Sequence, residues 1–104
     1  MADRRRKLLE DAWIGDAVLS LYARSLILAE HGAVNSQQLE RMTSNQFLAG
    51  IAEPSSVEAE IGRAYADGGV ETAFRWIEDH LMPLYRRQEE NRQRSIIARS
   101  LDQA

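Results

Sequence analysis

The segment Glu10-Asp11-Ala12-Trp13-Ile14-Gly15-Asp16-Ala17-Val18-Leu19-Ser20-Leu21-Tyr22-Ala23-Arg24 decides how the chain is read. Trp13, Ala17 and Leu21, with Ile14, Val18 and Leu19 beside them, recur at steps of three and four residues. This spacing predicts a helix whose wide apolar face, Trp13 included, lies in the core. Asp16 interrupts that face. Burying an unpaired carboxylate is costly, so Asp16 belongs at the core edge or opposite something positive, such as a metal ion. A lone acid early in a helix also reads as a solvated or capping residue. Gly15 costs roughly 0.5–1 kcal/mol relative to alanine inside a helix and marks a close backbone approach by another element.

Outward from this segment the signals are helical throughout. Arg4 to Leu9 begins a helix that either runs into the Asp16 helix or bends before it, with Asp11 available as an N-cap for a separate start. Gly32, just past the periodic run, predicts a stop near His31, which would cap the last turn. Asn35 with Gln38 resembles a capping box and opens a single helix carrying Leu39, Met42, Phe47 and Ile51. Glu53-Pro54-Ser55-Ser56 is the next break, followed by a helix from about Ser56 to Ala66. There Ser55 and Glu58 read as a second capping box, in which Glu58 would simply reach back to the Ser55 amide. Asp67-Gly68-Gly69 predicts a turn. A last apolar pattern runs through Val70, Phe74, Ile77, Leu81, Leu84 and Tyr85, with Pro83 kinking or restarting it after Met82. Beyond Tyr85 only Ile96, Ile97 and Leu101 are large and apolar, so the tail is a solvated helix or a strip docked on a neighbour. With no alternating strand pattern, the class is all-α with about five helices.

A chain of 104 residues fits a single domain, here 1–104, with a basic arm over 1–9 and a polar helical tail over 86–104. The absence of cysteine excludes disulfides and thiolate metal sites. The apolar runs read as shorter than a membrane span and Glu10 and Asp11 interrupt any signal-like start, so the expectation is a cytoplasmic protein without a membrane partner. The net charge of −3 conceals a division along the chain. Residues 1–9 hold four basic groups and one acid, residues 10–80 four basic and twelve acidic, and residues 81–104 five basic and three acidic. Arg4, Arg5, Arg6 and Lys7 at one end, and Arg86, Arg87, Arg92 and Arg94 at the other, are candidate phosphate contacts, or else solvated helix ends.

Three blocks, in order, carry a resemblance to a known family. Trp13-Ile14-Gly15-Asp16-Ala17-Val18-Leu19 resembles the "FLGDAVL" core of the ribonuclease III signature helix. Thr43 to Ala52, with Ser44-Asn45 at its start, is similar to that family's "SN..LA.IA" helix. Val57-Glu58-Ala59-Glu60-Ile61-Gly62-Arg63-Ala64-Tyr65-Ala66-Asp67-Gly68-Gly69 is similar to its "FEALIGAIYLDGG" helix. The resemblance covers most of residues 8 to 85 and implies a ribonuclease III-like helical domain. It also implies a homodimer in which each copy binds Mg²⁺, with Mn²⁺ as a possible substitute, beside the scissile phosphate of structured or double-stranded RNA. Asp16 and Glu58 match two of the family's metal-binding, catalytic acids; Gly15 and Asn45 match supporting positions.

The departures point elsewhere in the same family. Acids usual four and seven residues before the aspartate are Ala12 and Leu9 here, and the acid three before the glutamate is Ser55. Glu10, Asp11 and Glu53 sit one step off the required helical faces, which argues against simple replacement. The connection before Val57 is cut to Glu53-Pro54-Ser55-Ser56, and Glu60 stands where leucine is usual. "DAWIGD", with no attached double-stranded-RNA-binding domain, is reminiscent of the Mini-ribonuclease III branch. Two functional expectations follow: an endoribonuclease using Asp16 and Glu58, or a catalytically inactive module of the same fold that binds RNA or protein. A helix-turn-helix DNA binder over Asn35 to Ala52 is disfavoured, because Arg41 is its only basic residue.

Overall fold

One uninterrupted helix, α1 (Ala2–His31), carries the deciding segment in the computed structural model, which describes residues 2–103. The basic arm runs straight into it. Asp11 is therefore no N-cap: it lies mid-helix and is buried. Gly32 ends the helix at a φ of 69°, its amide donating to the Leu28 carbonyl at 2.9 Å. Two short helices follow, α2 (Ser36–Thr43) and α3 (Asn45–Ala49). Asn35 caps α2 by accepting from the Gln38 amide at 3.0 Å. The single helix expected here is broken, because Ser44 takes up extended geometry and caps α3 by accepting from the Phe47 amide at 3.1 Å.

Helix α4 (Pro54–His80) is broken at Gly69, whose φ of 79° only glycine adopts readily, so the predicted Asp67-Gly68-Gly69 turn divides it into two helical halves. Leu81 joins it to α5 (Met82–Asp102), with Pro83 in the first turn where its missing N–H costs nothing. Among the described residues there is no strand. The fold is an all-α bundle of four to five helices.

Its core is built where both halves of α4 pack along α1. Leu19, Met42, Leu48, Ile61, Ile77 and Leu81 are the largest fully buried side chains. Tyr22 sits edge-on to Phe74 at 5.2 Å between centroids and donates its hydroxyl hydrogen to Glu78. Phe47 meets Tyr85 in the same manner at 6.0 Å, and Arg41 forks onto Glu89 at 3.1 and 3.2 Å, tying α2 and α3 to the start of α5. The α5 tail beyond Glu90 is exposed, so it follows the solvated-helix alternative within this chain.

The core uses only part of the α1 face that its apolar pattern predicts: Val18 and Leu19 are buried as expected, and the pattern's other large residues are not. Ala12, Gly15, Val18, Leu19, Tyr22, Ala23 and Ile27 are buried, whereas Trp13 is 79% exposed and Ile14 and Leu21 also open to solvent. Helix α1 is apolar on two sides, and α4 covers one of them. For the same reason the expectation that every apolar run is too short for a membrane needs correction. α1 holds an 18-residue window of mean hydropathy 1.3, long and apolar enough to cross one by length and composition.

The α1–α4 crossing is closed by two glycines. A Cβ on Gly15 would lie 1.7 Å from the Glu58 carbonyl oxygen, and a Cβ on Gly62 1.9 Å from that of Asp11. Four residues up one helix match four residues down the other, so α1 and the first half of α4 are antiparallel here. Gly15→Ala and Gly62→Ala must each force the helices apart and should lower the unfolding free energy by at least about 1–3 kcal/mol. Gly32→Ala, with no atom within 4 Å of its added Cβ, should incur only the strain of its positive φ, about 1 kcal/mol. Urea titration of the three variants checks the order; a wild-type midpoint for Gly15→Ala would show that the crossing is not this close.

Candidate functional site

The crossing dictates which side chains meet at its edge. Glu58 is the residue whose carbonyl lies under Gly15. Asp16, the next residue on α1, is turned about 100° from that contact, and so stands at the rim of the interface. Asp16 is exposed, and its carboxylate lies near enough to that of half-buried Glu58 to raise the latter's affinity for a proton. Two acids far apart in sequence are thus brought near each other.

The capping role open to Glu58 falls away. Helix α4 starts at Pro54, and its N-cap is Glu53, whose carboxylate accepts from the amides of Ser55 at 3.1 Å and Ser56 at 2.9 Å. These bonds hold the Glu53 carboxyl below its usual range. Ser55 lies within the first turn and does not cap, so the Glu58 side chain is left to face Asp16.

Burial, then the neighbouring Asp16 carboxylate and the more distant charge of Glu53, push the Glu58 carboxyl up to about 7. Two carboxylates in contact cannot both ionise cheaply unless a cation offsets them. Among the described residues, none of the ion pairs includes Asp16 or Glu58.

The other acids near α1 are differently employed. Asp11 is buried between Lys7, at 2.8 Å on one oxygen, and Arg63, at 3.7 Å on the other. The Lys7 half of this clamp is an i,i+4 pair legible on a helix, whereas Arg63 has no local signal; Asp11 lies one helical turn before Gly15 and so on the same contact stripe. Glu60, the departure from leucine, is exposed and pairs with Arg63 at 2.5 Å. Ala12 is buried in the crossing and Leu9 is exposed, so neither position adds a ligand. Among the described residues no group of three or more His, Cys, Asp or Glu side chains is placed to hold a metal ion.

A two-carboxylate donor set still suits one ion. Mg²⁺ keeps several waters and is commonly held by one or two carboxylates plus substrate phosphates, whereas Zn²⁺ wants three or four protein donors. Asp16 and Glu58 meet that lower requirement.

The remaining predicted residues are scattered. Gly15 makes the crossing itself. Asn45 is exposed at the start of α3 and does not join the acid pair by any hydrogen bond among the described residues. Arg4, Arg5 and Arg6 are exposed along the first turns of α1, and Arg87 is exposed on α5. Lys7 is committed to Asp11, and Arg86 to Glu78 at 3.1 Å. Comparison with protein-family models, curated proteins and solved structures finds no match for the chain.

The acid pair carries a pH signature. Folded Glu58 keeps its proton up to about pH 7, against 4.5 for the free side chain, so the native state binds more protons than the unfolded one between those values. Its contribution therefore becomes destabilising as pH rises through that window. In metal-free buffer the thermal midpoint of wild type should drop, relative to that of Glu58→Gln, as pH rises from about 4.5 to about 7. Parallel pH profiles for the two proteins would show that Glu58 titrates normally.

Proposed function

We propose that this protein is a divalent-metal-dependent endoribonuclease that cleaves structured or double-stranded RNA as a homodimer, with Asp16 and Glu58 holding Mg²⁺ or, in its place, Mn²⁺. The observation that carries the reading is the nearness of these two carboxylates at the α1–α4 crossing, with no ion pair to either among the described residues. It is joined by the three ordered sequence blocks that resemble the ribonuclease III family.

A bound divalent ion supplies an activated water and offsets charge developing on phosphate oxygens. The chain's own groups do the rest. Glu58, whose burial and neighbouring Asp16 carboxylate hold a proton on it up to about pH 7, would have to be deprotonated to serve as a ligand, so ion uptake would release a proton. Asp16, on the exposed side, would be the carboxylate reachable from solvent. Arg4, Arg5 and Arg6, at the far end of the same helix, offer phosphate contacts beyond the acid pair, and Lys7 and Arg86 are less available because each already serves a carboxylate.

A second reading has its own support. With Ala12, Leu9 and Ser55 where the family carries acids, and with no three-donor cluster among the described residues, the fold would serve as a catalytically inactive module that binds RNA or a protein. Calorimetric titration with Mg²⁺ separates the two: a two-acid nuclease site takes up the ion weakly but measurably, and a dead site does not.

Cleavage of double-stranded RNA in Mg²⁺ or Mn²⁺ is the direct test. Asp16→Asn and Glu58→Gln should each reduce it by more than about 100-fold, beyond the loss typical of residues one layer behind a metal, with the helical circular dichroism signal intact. Unchanged cutting by Asp16→Asn would remove that residue from the site, and no cutting by wild type at high enzyme concentration would favour the inactive module.

A further inference from the structure

A cleft between the end of α1 and the start of α5 shares no residue with the acid pair, since neither Asp16 nor Glu58 lines it. Its volume is about 550 Å³, within the range of clefts that hold small molecules. Met82 and Tyr85 from α5 and Gln38 from α2, all three buried, form its floor.

That floor holds a polar group without a partner. Tyr85 is 6% exposed, and its hydroxyl oxygen, closed off from water, has no hydrogen-bond partner among the described residues. The Gln38 amide and the Glu89 carboxylate stand near the hydroxyl without hydrogen-bonding geometry, and Glu89 already accepts two bonds from Arg41 at 3.1 and 3.2 Å. Leaving a buried hydroxyl unpaired is destabilising. Phenylalanine would fill the same space without that loss, so only an occupant of the cleft satisfies the Tyr85 oxygen.

Charge narrows the occupant. Arg86 is answered by Glu78, and Glu89 by Arg41. Along the rest of the rim Glu30 and Glu90 stand against His31 and Arg94, so there is no positive surplus to hold a phosphate or a carboxylate. The floor offers a carboxamide, with donor and acceptor side by side, next to a hydroxyl that can both donate and accept. A neutral, flat heterocycle with adjacent donor and acceptor atoms meets that set, in the way a glutamine amide meets the edge of adenine. The Met82 thioether adds a polarizable surface that suits an aromatic ring.

We propose that this cleft binds a nucleobase, its edge read by the Gln38 amide and the Tyr85 hydroxyl. The base reaches the hydroxyl by turning aside the partly exposed Glu89 side chain. It belongs either to a free nucleoside or to an unpaired nucleotide of an RNA chain, and the cleft stands without the nuclease reading.

NMR of the Gln38 side-chain amide and the Met82 methyl group reports occupancy while the full chain is titrated, in metal-free buffer, with adenosine, with uridine and with a single-stranded oligoadenylate. Both signals should move. Movement with a nucleoside assigns the site to free nucleosides, and movement with the oligonucleotide alone assigns it to RNA. Tyr85→Phe should weaken binding roughly tenfold and leave the thermal midpoint unchanged or higher, because it deletes only an unpaired hydroxyl. Gln38→Leu, followed at the Met82 methyl, should weaken binding at least as much. Signals that stay fixed with all three probes at millimolar concentration overturn the proposal, as does binding undiminished in either variant. None of these results touches the metal-uptake or cleavage tests of Asp16 and Glu58.

Discussion

Contact between two helix backbones at Gly15 and Gly62 is the constraint on which the rest of the structure depends. Side chains normally hold helices about 8–10 Å apart at their axes; here two glycines let each helix reach the other's carbonyl oxygen, at Glu58 and at Asp11. Close approach fixes the register of α1 on α4 to the residue, because any slide along the axis would drive a Cβ into backbone. Once that register is set, the positions of the neighbouring acids follow: Asp11 falls inside the crossing and Asp16 at its rim beside Glu58.

Two acids five positions apart on one helix thus meet opposite fates. Asp11 is buried, yet Lys7 from its own helix and Arg63 from α4 stand against it, so its charge is answered within the protein. Asp16 and Glu58 face each other with the same sign, and burial of Glu58, together with the Asp16 carboxylate beside it, holds its proton well above the ordinary carboxyl range. A fold that, among the described residues, pairs cations with Asp11 and none with Asp16 or Glu58 leaves unbalanced negative charge at a solvent-facing edge. This is the physical basis for proposing a divalent cation there, and the modest donor number is the basis for preferring Mg²⁺ to a metal that needs more protein ligands.

Much of this is legible in the sequence because glycines and caps carry local meaning. A glycine at position 15, inside a helical run, signals the close approach that α4 makes there; Gly32 ends α1 where expected, and Gly69 breaks α4 in the predicted turn. Helix periodicity fails on α1 for a definite reason. Apolar residues there occupy two faces, and Trp13 and Leu21 dominate the pattern by size, although the packed side mixes the small residues Ala12, Gly15 and Ala23 with Val18, Leu19, Tyr22 and Ile27. Bulk signals burial in a sequence, whereas closeness between helices is made by its absence. The Ser55–Glu58 capping pattern misleads in a different way, since Glu53 caps the helix by accepting from the Ser55 and Ser56 amides. The burial of Asp11 has no local signature because its partner Arg63 is distant in the chain, and long-range charge pairing leaves no spacing to read.

Asp16 and Glu58 must share one small volume at the edge of the crossing if the pair is to hold a cation. Residue-resolved carboxyl carbon NMR, following Glu58 through pH in wild type and in Asp16→Asn, tests that most directly. The expected result is a Glu58 midpoint near 7 in the wild-type protein that falls once the neighbouring charge is removed. A Glu58 midpoint that does not move on Asp16→Asn, wherever it lies, would mean that the two carboxylates do not meet, and would contradict the metal site built on them.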